Sequence, residues 1–301
     1  MRAVIARVAI AAMWLAHHLP LAVLARLGAL LGSFLRLVGR ERRMVCDINL
    51  SLCMPAMSAA ERERLARNHF HMIGRAILER GLLWWAPRER LTKMFEVVGA
   101  EHLRSLHGQA VILFAPHFLA LDAGFTRLTC DFDLAAIYSN QKSAPMSAML
   151  LAGRMRFGRQ RMFSRQQGVR AALAALREGA PLYYLPDQDY GLRDAIFTPF
   201  FGVPAATITG LSRLAKLGGA RVLPCITRML PGGRGYLLCI YPSWENFPSG
   251  DDAVDARRMN AFIEERVREC PEQYNWAHKR FKTRPPGDAP FYGKKYRTGK
   301  H

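Results

Sequence analysis

The chain has 301 residues, with 43 Lys and Arg against 24 Asp and Glu, which gives a formal net charge of +19. Half of the residues are hydrophobic and 22% are charged, which excludes wholesale disorder, a collagen-like sequence and a small disulfide-bonded scaffold. The positive charge favours polyanionic partners, namely nucleic acid, an anionic membrane surface or phosphorylated substrates, and does not choose among them.

The first predicted element is an apolar segment from Val8 to Ala25 that contains no Asp, Glu, Lys or Arg. As one helix it would span about 27 Å, slightly less than the hydrocarbon core of a bilayer at about 30 Å. Pro20 and two histidines weaken a clean span, and an interfacial helix with flanking arginines is an equal alternative. A cleaved signal peptide and a buried soluble helix are weaker alternatives. Residues 1–40 are thus predicted to be a membrane anchor or interfacial helix, and residues 41–301 a single domain.

A basic cluster, Arg40-Glu-Arg-Arg43, follows the apolar segment. The positive-inside tendency would keep the domain after it on the cytoplasmic side. The six cysteines are scattered, without a C-x-x-C pair or a cluster with histidine, which favours a reduced compartment and agrees with that side.

The remaining elements alternate between short apolar runs and helical patterns. Ser58 and Glu61 form a capping-box pattern that predicts a helix over about 59–84. Strands are predicted at 110–114, 134–138, 181–185 and 221–226, with helices at 119–128, 144–155, 168–177, 207–217 and 252–269 between or after them. This order predicts an α/β fold with a mostly parallel sheet flanked by helices. A further strand at 236–241 follows a Pro-Gly-Gly turn and is predicted to pair antiparallel with the strand before it.

The pair His117 and Asp122 carries the strongest chemical signal, since a predicted strand ends just before the histidine and a helix follows. Open α/β sheets bind ligands beyond the carboxyl ends of their strands. Five residues of ideal helix leave two side chains about 140° apart, so His117 is predicted to lie in the turn that enters the helix. From there Asp122 could hold one ring nitrogen and leave the other free as a base.

The sequence around this pair resembles the bacterial lipid A late acyltransferases, within the wider glycerophosphate acyltransferase group marked by H-x-x-x-x-D/E. The resemblance is carried by His117-Phe-Leu-Ala-Leu-Asp-Ala-Gly124, Met162-Phe-Ser-Arg165, Tyr184-Leu-Pro-Asp-Gln-Asp-Tyr-Gly191, Pro199-Phe-Phe-Gly202, Ala205-Ala-Thr207 and Glu272-Gln-Tyr-Asn-Trp-Ala-His-Lys-Arg-Phe-Lys-Thr-Arg-Pro285. These motifs occur in order and cover nearly the whole chain. The resemblance implies the glycerophosphate-acyltransferase-like form of the α/β fold.

Carried over by position, the resemblance implies that His117 is the general base and Asp122 its partner. Many lipid A enzymes have Glu at the second position, so Asp122 is a small departure toward the wider group. Arg165 matches an arginine associated with substrate phosphate, for which a guanidinium is suited. Asp187 matches an acidic position that we expect to pair with Arg165, with Asp189 or Gln188 as an alternative. A turn-forming role for Asp187 remains open, and a metal at the D-x-D sequence is disfavoured.

Two basic groups are also candidates for substrate contact, one predicted on the helix at 144–158 and the other in the C-terminal tail. They consist of Arg154, Arg156 and Arg159, and of His278, Lys279, Arg280, Lys282 and Arg284. They could line a site for phosphosugars or for the acidic face of an acyl carrier protein. The alternative is a solvated basic face near anionic lipid, and a mixture of the two is expected.

The resemblance implies a membrane acyltransferase at the cytoplasmic face of the bacterial inner membrane. Its donor would be an acyl thioester, acyl carrier protein or coenzyme A, and its acceptor a hydroxyl of a lipid A precursor, with neither cofactor nor metal. The alternative acceptor is another phospholipid or glycolipid. A nucleic-acid-binding protein is disfavoured, because no binding motif is present and the apolar N-terminus would have no purpose.

Overall fold

A seven-stranded sheet lies at the centre of a computed structural model that describes residues 2–164 and 168–293. The strands are β1 (Phe95–Val98), β2 (Val111–Phe114), β3 (Ala135–Tyr138), β4 (Arg161–Ser164), β5 (Leu182–Tyr184), β6 (Ala195–Phe200), β7 (Val203–Ile208), β8 (Arg221–Met229) and β9 (Tyr236–Ile240). The helices are α1 (Arg2–Ala16), α2 (Leu21–Val38), α3 (Arg40–Cys53), α4 (Ala59–Leu78), α5 (Arg80–Trp85), α6 (Arg88–Lys93), α7 (Ala100–Arg104), α8 (Leu121–Leu128), α9 (Ala144–Arg154), α10 (Gly168–Arg177), α11 (Gly210–Gly218) and α12 (Asp252–Glu269).

The strand order in the main sheet is β1-β9-β8-β2-β5-β3-β4. Neighbouring strands run parallel except for β8 and β9, which are antiparallel. The predicted α/β class and mostly parallel sheet are therefore confirmed, as is the antiparallel last pair. Strand β2 is buried along its whole length and has apolar clusters on both faces, as expected for a central parallel strand covered by helices.

The N-terminal apolar segment differs from the prediction. It forms α1 and α2 with a break before Leu21, where Pro20 is the N-cap residue, so the run from Val8 to Ala25 is not one helix. Proline has no N–H to donate and restricts the residue before it, which favours a helix start at this point. Among residues 2–164 and 168–293, the one helix long and apolar enough to cross a membrane is instead α2.

Helix α2 packs against α4 through glycines. A Cβ added to Gly74 would lie 1.9 Å from the carbonyl oxygen of Gly28, and one added to Gly32 would lie 2.1 Å from that of Phe70. The two backbones are thus in direct contact, and α2 has one face against the rest of the chain. The other face is apolar and exposed, with Leu30 and Phe34 more than half exposed. The predicted division at residue 40 stays a prediction.

Helix α4 begins with the predicted capping box. The Ser58 hydroxyl accepts from the backbone N–H of Glu61 at 3.2 Å, and the Glu61 carboxylate accepts from that of Ser58 at 2.7 Å. The predicted helix over 59–84 is divided at Glu79 into α4 and α5. All six cysteines are free thiols, and the reduced compartment stays a prediction.

Candidate active site

Two adjacent parallel strands bring His117 and Asp187 together. In the register of β2 and β5, Phe114 is opposite Tyr184. These are the last residues of the two strands, and His117 and Asp187 each follow three positions later. The carboxyl ends of parallel strands meet at one edge of a sheet, where open α/β proteins bind their ligands. His117 lies in the turn before α8, as predicted.

Asp187 accepts both polar hydrogens that His117 offers on this side. The ring Nδ1 lies 2.6 Å from Oδ1, and the backbone N–H of His117 donates to Oδ2 at 2.9 Å. Burial alone would raise the pKa of the Asp187 carboxyl, but attraction to His117 and the hydrogen bonds from it hold that pKa below its ordinary value. An ionised carboxylate can only accept, so Nδ1 carries a proton, and in the neutral form of the ring Nε2 would have the free lone pair.

Asp122 does not take the position predicted for it beside the imidazole. Its Oδ1 accepts from Arg154 at 2.7 Å and its Oδ2 from Arg80 at 3.1 Å. The prediction that Asp122 is the hydrogen-bond partner of His117 is wrong in this structure, because two arginines attract a carboxylate more strongly than a neutral ring does. Burial would raise the pKa of Asp122, but the charges of Arg154 and Arg80 hold it well below its ordinary range. A contribution of Asp122 to catalysis stays a prediction.

The two remaining predicted site residues are Arg165 and Asp189. Arg165 lies outside the described residues, so its predicted pairing with Asp187 and its contact with phosphate stay predictions. The Asp189 carboxylate accepts from the backbone N–H of Gly191 at 2.9 Å and from that of Thr283 at 2.6 Å. With the Thr283 hydroxyl as a third donor at 2.8 Å, Asp189 closes a turn against the C-terminal segment, and a substrate contact there stays a prediction.

Most of the basic residues proposed to line a substrate site have protein partners. Arg280 is buried and donates to the Ala206 carbonyl at 2.8 Å, and Arg156 donates to the Leu83 carbonyl at 2.7 Å. Lys279 pairs with Glu41, Lys282 donates to the Asp189 carbonyl, and Arg284 pairs with Asp288. The cations of these residues therefore bond to carbonyls and carboxylates within the fold, and the expected mixture of a substrate site and a solvated basic face stays a prediction. Arg159 is exposed.

The site also contains a residue that sequence reasoning missed. The hydroxyl of Tyr274 donates to Oδ2 of Asp187 at 3.1 Å. Its position inside the last quoted motif was the available signal, but nothing in the motif indicates a carboxylate partner. Within residues 2–164 and 168–293, no three His, Cys, Asp or Glu side chains lie close enough to hold a metal ion. A reaction without metal or cofactor stays a prediction.

Comparison with known proteins points to one family. Residues 1–283 match the family model described as bacterial lipid A biosynthesis acyltransferase. The chain is 34% identical to a lipid A biosynthesis lauroyltransferase of Escherichia coli (strain K12), over 92% of this chain and 91% of the relative. It is 35% identical to the palmitoleoyltransferase of the same organism, over 93% and 92%, and 33% identical to its myristoyltransferase, over 91% and 84%.

Proposed function

Because the chain belongs to the bacterial lipid A biosynthesis acyltransferase family, we propose that it transfers a fatty acyl chain from an acyl thioester to a hydroxyl of a lipid A precursor, with His117 as general base. Acyl carrier protein is the proposed donor. The observation that carries this proposal is the imidazole of His117 at the carboxyl edge of the sheet, with Nδ1 on the buried carboxylate of Asp187. The side chain of His117 remains partly exposed, so the ring is open to an acceptor.

The proposed reaction needs one base and no covalent enzyme intermediate. Nε2 of His117 takes the proton of the acceptor hydroxyl while its oxygen attacks the thioester carbonyl carbon. The tetrahedral intermediate then collapses, the C–S bond breaks, and the imidazolium returns the proton to the leaving thiolate. General base catalysis of this kind is worth about 10² to 10⁴ in rate. Asp187 supports the step because its charge stabilises the imidazolium that forms.

We propose that the enzyme works on an anionic membrane surface, at the cytoplasmic face of the inner membrane. Apolar side chains of α1 and α2 are exposed, among them Val4, Ile5, Val8, Trp14, Leu15, Leu27, Leu30, Phe34 and Leu37. The basic residues at the start of α3 follow directly after this face. An apolar face flanked by cations is suited to lie in the headgroup region, where Trp is also favoured.

Mass spectrometry of lipid A from cells without the gene tests the proposal. We expect one secondary acyl chain to be missing and to return with the intact protein but not with His117→Ala. If lipid A is unchanged and another lipid loses an acyl group, the acceptor is wrong and the chemistry stands. Full complementation by His117→Ala would contradict the proposed base. In vitro, acyl carrier protein and coenzyme A thioesters compared at equal concentration identify the donor.

A further inference from the structure

The segment after α12 pairs with the loop that carries His117. The N–H of Leu119 donates to the Gln273 carbonyl at 2.8 Å, and the N–H of Asn275 donates to the His117 carbonyl at 3.1 Å. Between these two hydrogen bonds, Phe118 and Tyr274 form an antiparallel bridge. Tyr274 is therefore fixed relative to His117 by the backbone and not only by its own side chain.

The side chain of Tyr274 is enclosed and aimed at Asp187. It is 3% exposed, its ring meets those of Phe118 and Trp276 edge to face, and its hydroxyl donates to Oδ2 of Asp187. Asp187 thus accepts three hydrogen bonds on two oxygens, two from His117 and one from Tyr274. Since Oδ2 takes two of them, the carboxylate cannot rotate without breaking the bond from the tyrosine.

We propose that Tyr274 is a positioning residue for acyl transfer, which acts by holding the Asp187 carboxylate in the orientation that keeps His117 in the Nδ1–H tautomer. This inference rests on the proposed function, since it matters only if His117 is the base. The tyrosine hydroxyl also shares the negative charge of Asp187, so it moderates the attraction between that carboxylate and the imidazolium form of His117. Loss of the hydroxyl would leave the carboxylate free to tilt and would favour the imidazolium.

The other titratable and charged groups near Tyr274 and Asp187 do not change the direction of this effect on the imidazolium form of His117. Burial raises the pKa of Tyr274 well above its ordinary value, so the phenol remains a donor at working pH. Burial lowers the pKa of His278 to about 3, so that ring stays neutral. The positive charge of Arg280 also lowers the pKa of Asp187. Its guanidinium is held in place by hydrogen bonds to the Ala206 carbonyl and the Thr207 hydroxyl. The positive charge of Arg42 further lowers the pKa of His278, and its guanidinium donates to the Ala277 carbonyl.

The test is the pH dependence of kcat/KM for Tyr274→Phe. We expect kcat to fall about tenfold, the value of one hydrogen bond to a charged group, with KM little changed. The acidic limb of the profile, which reports the neutral imidazole, should move up by about half a pH unit. Tyr236→Phe is the matched control, because Tyr236 is also buried and donates to a buried carboxylate, that of Glu79. The control should leave the acidic limb in place.

A second substitution keeps the packing of the tyrosine unchanged. Incorporation of 3-fluorotyrosine at position 274 gives a stronger donor of nearly the same size, so the acidic limb should move in the opposite direction. If Tyr274→Phe and the fluorinated protein both keep the wild-type profile while His117→Gln is inactive, the inference is wrong and the proposed function stands. If His117→Gln keeps the wild-type rate, the proposed base is wrong and the inference falls with it.

Discussion

A buried histidine away from the site makes the stability of this protein depend on pH. His69 of α4 is completely buried, and its Nδ1 bonds to the carbonyl of Glu272 at 3.0 Å. Among the described residues, its Nε2 has no hydrogen-bond partner, so the ring is neutral with Nδ1 as the donor. Burial lowers the pKa of His69 from 6.5 to about 4, although the hydrogen bond to Glu272 opposes this.

The direction of the pH dependence follows from whether the folded or the unfolded state binds a proton at His69 more readily. His69 takes up a proton near pH 6.5 in the unfolded chain and only near pH 4 in the folded protein. Its contribution to stability is therefore complete above pH 6.5 and is lost as the pH falls toward 4. Between pH 7.5 and pH 5.0, linkage gives a loss of about 2 kcal/mol in the free energy of unfolding from this one residue.

The measurement is urea unfolding at pH 7.5 and pH 5.0 for His69→Asn, whose amide can still donate to Glu272 and cannot take a proton in this range. The substitution lowers stability at both pH values, because the side chain is smaller. The decrease in the free energy of unfolding from pH 7.5 to pH 5.0 should, however, be about 2 kcal/mol smaller in the variant than in the wild type. His107→Asn, at an exposed histidine, is the control and should lose as much as the wild type. An equal loss in all three proteins would refute the reasoning.

Two further predictions concern buried contacts of α4. Arg75 and Glu79 form a buried ion pair at 2.7 Å, so Arg75→Met should lower the free energy of unfolding by about 3–5 kcal/mol. Adding Glu79→Leu should recover only part of this loss, because the buried Tyr236 hydroxyl then has no acceptor. A loss below about 1 kcal/mol in the single variant would contradict the pair. Gly74→Ala should cost about 1–3 kcal/mol because its Cβ meets the Gly28 carbonyl, although alanine is the better helix former. Gly293→Ala, in open space, should change little, and a stabilised Gly74→Ala protein would show that α2 is not held there. Both are measured by urea unfolding.

Local patterns predicted the elements but not the contacts between distant ones. The capping box at Ser58, the turn at His117 and the antiparallel β8–β9 pair each depend on residues close in sequence. The bond between His117 and Asp187 depends on the register of β2 and β5, which is set by packing across the sheet. A spacing of five residues therefore suggested Asp122 as the partner, whereas the fold gives Asp122 to Arg80 and Arg154.

The antiparallel hairpin of β6 and β7 was also missed. Its second strand ends at Ile208, inside a stretch whose apolar spacing predicted a helix over 207–217. Thr207 is buried there, and its hydroxyl accepts from Arg280 and from Asn260 of α12. Partners far along the chain thus decide between strand and helix at this position.

The pairing of Phe118 with Tyr274 has a consequence for the order in which the protein matures during translation. The last strand of the sheet ends at Ile240, so the whole sheet is made before the ribosome reaches the segment that closes the site. A nascent chain would then have the sheet, His117 and Asp187 without the tyrosine hydroxyl that donates to the Asp187 carboxylate. A truncation before Tyr274 would also remove Trp276 and Phe281 from the core, so the surroundings of His117 would be completed only after α12 and the segment behind it emerge.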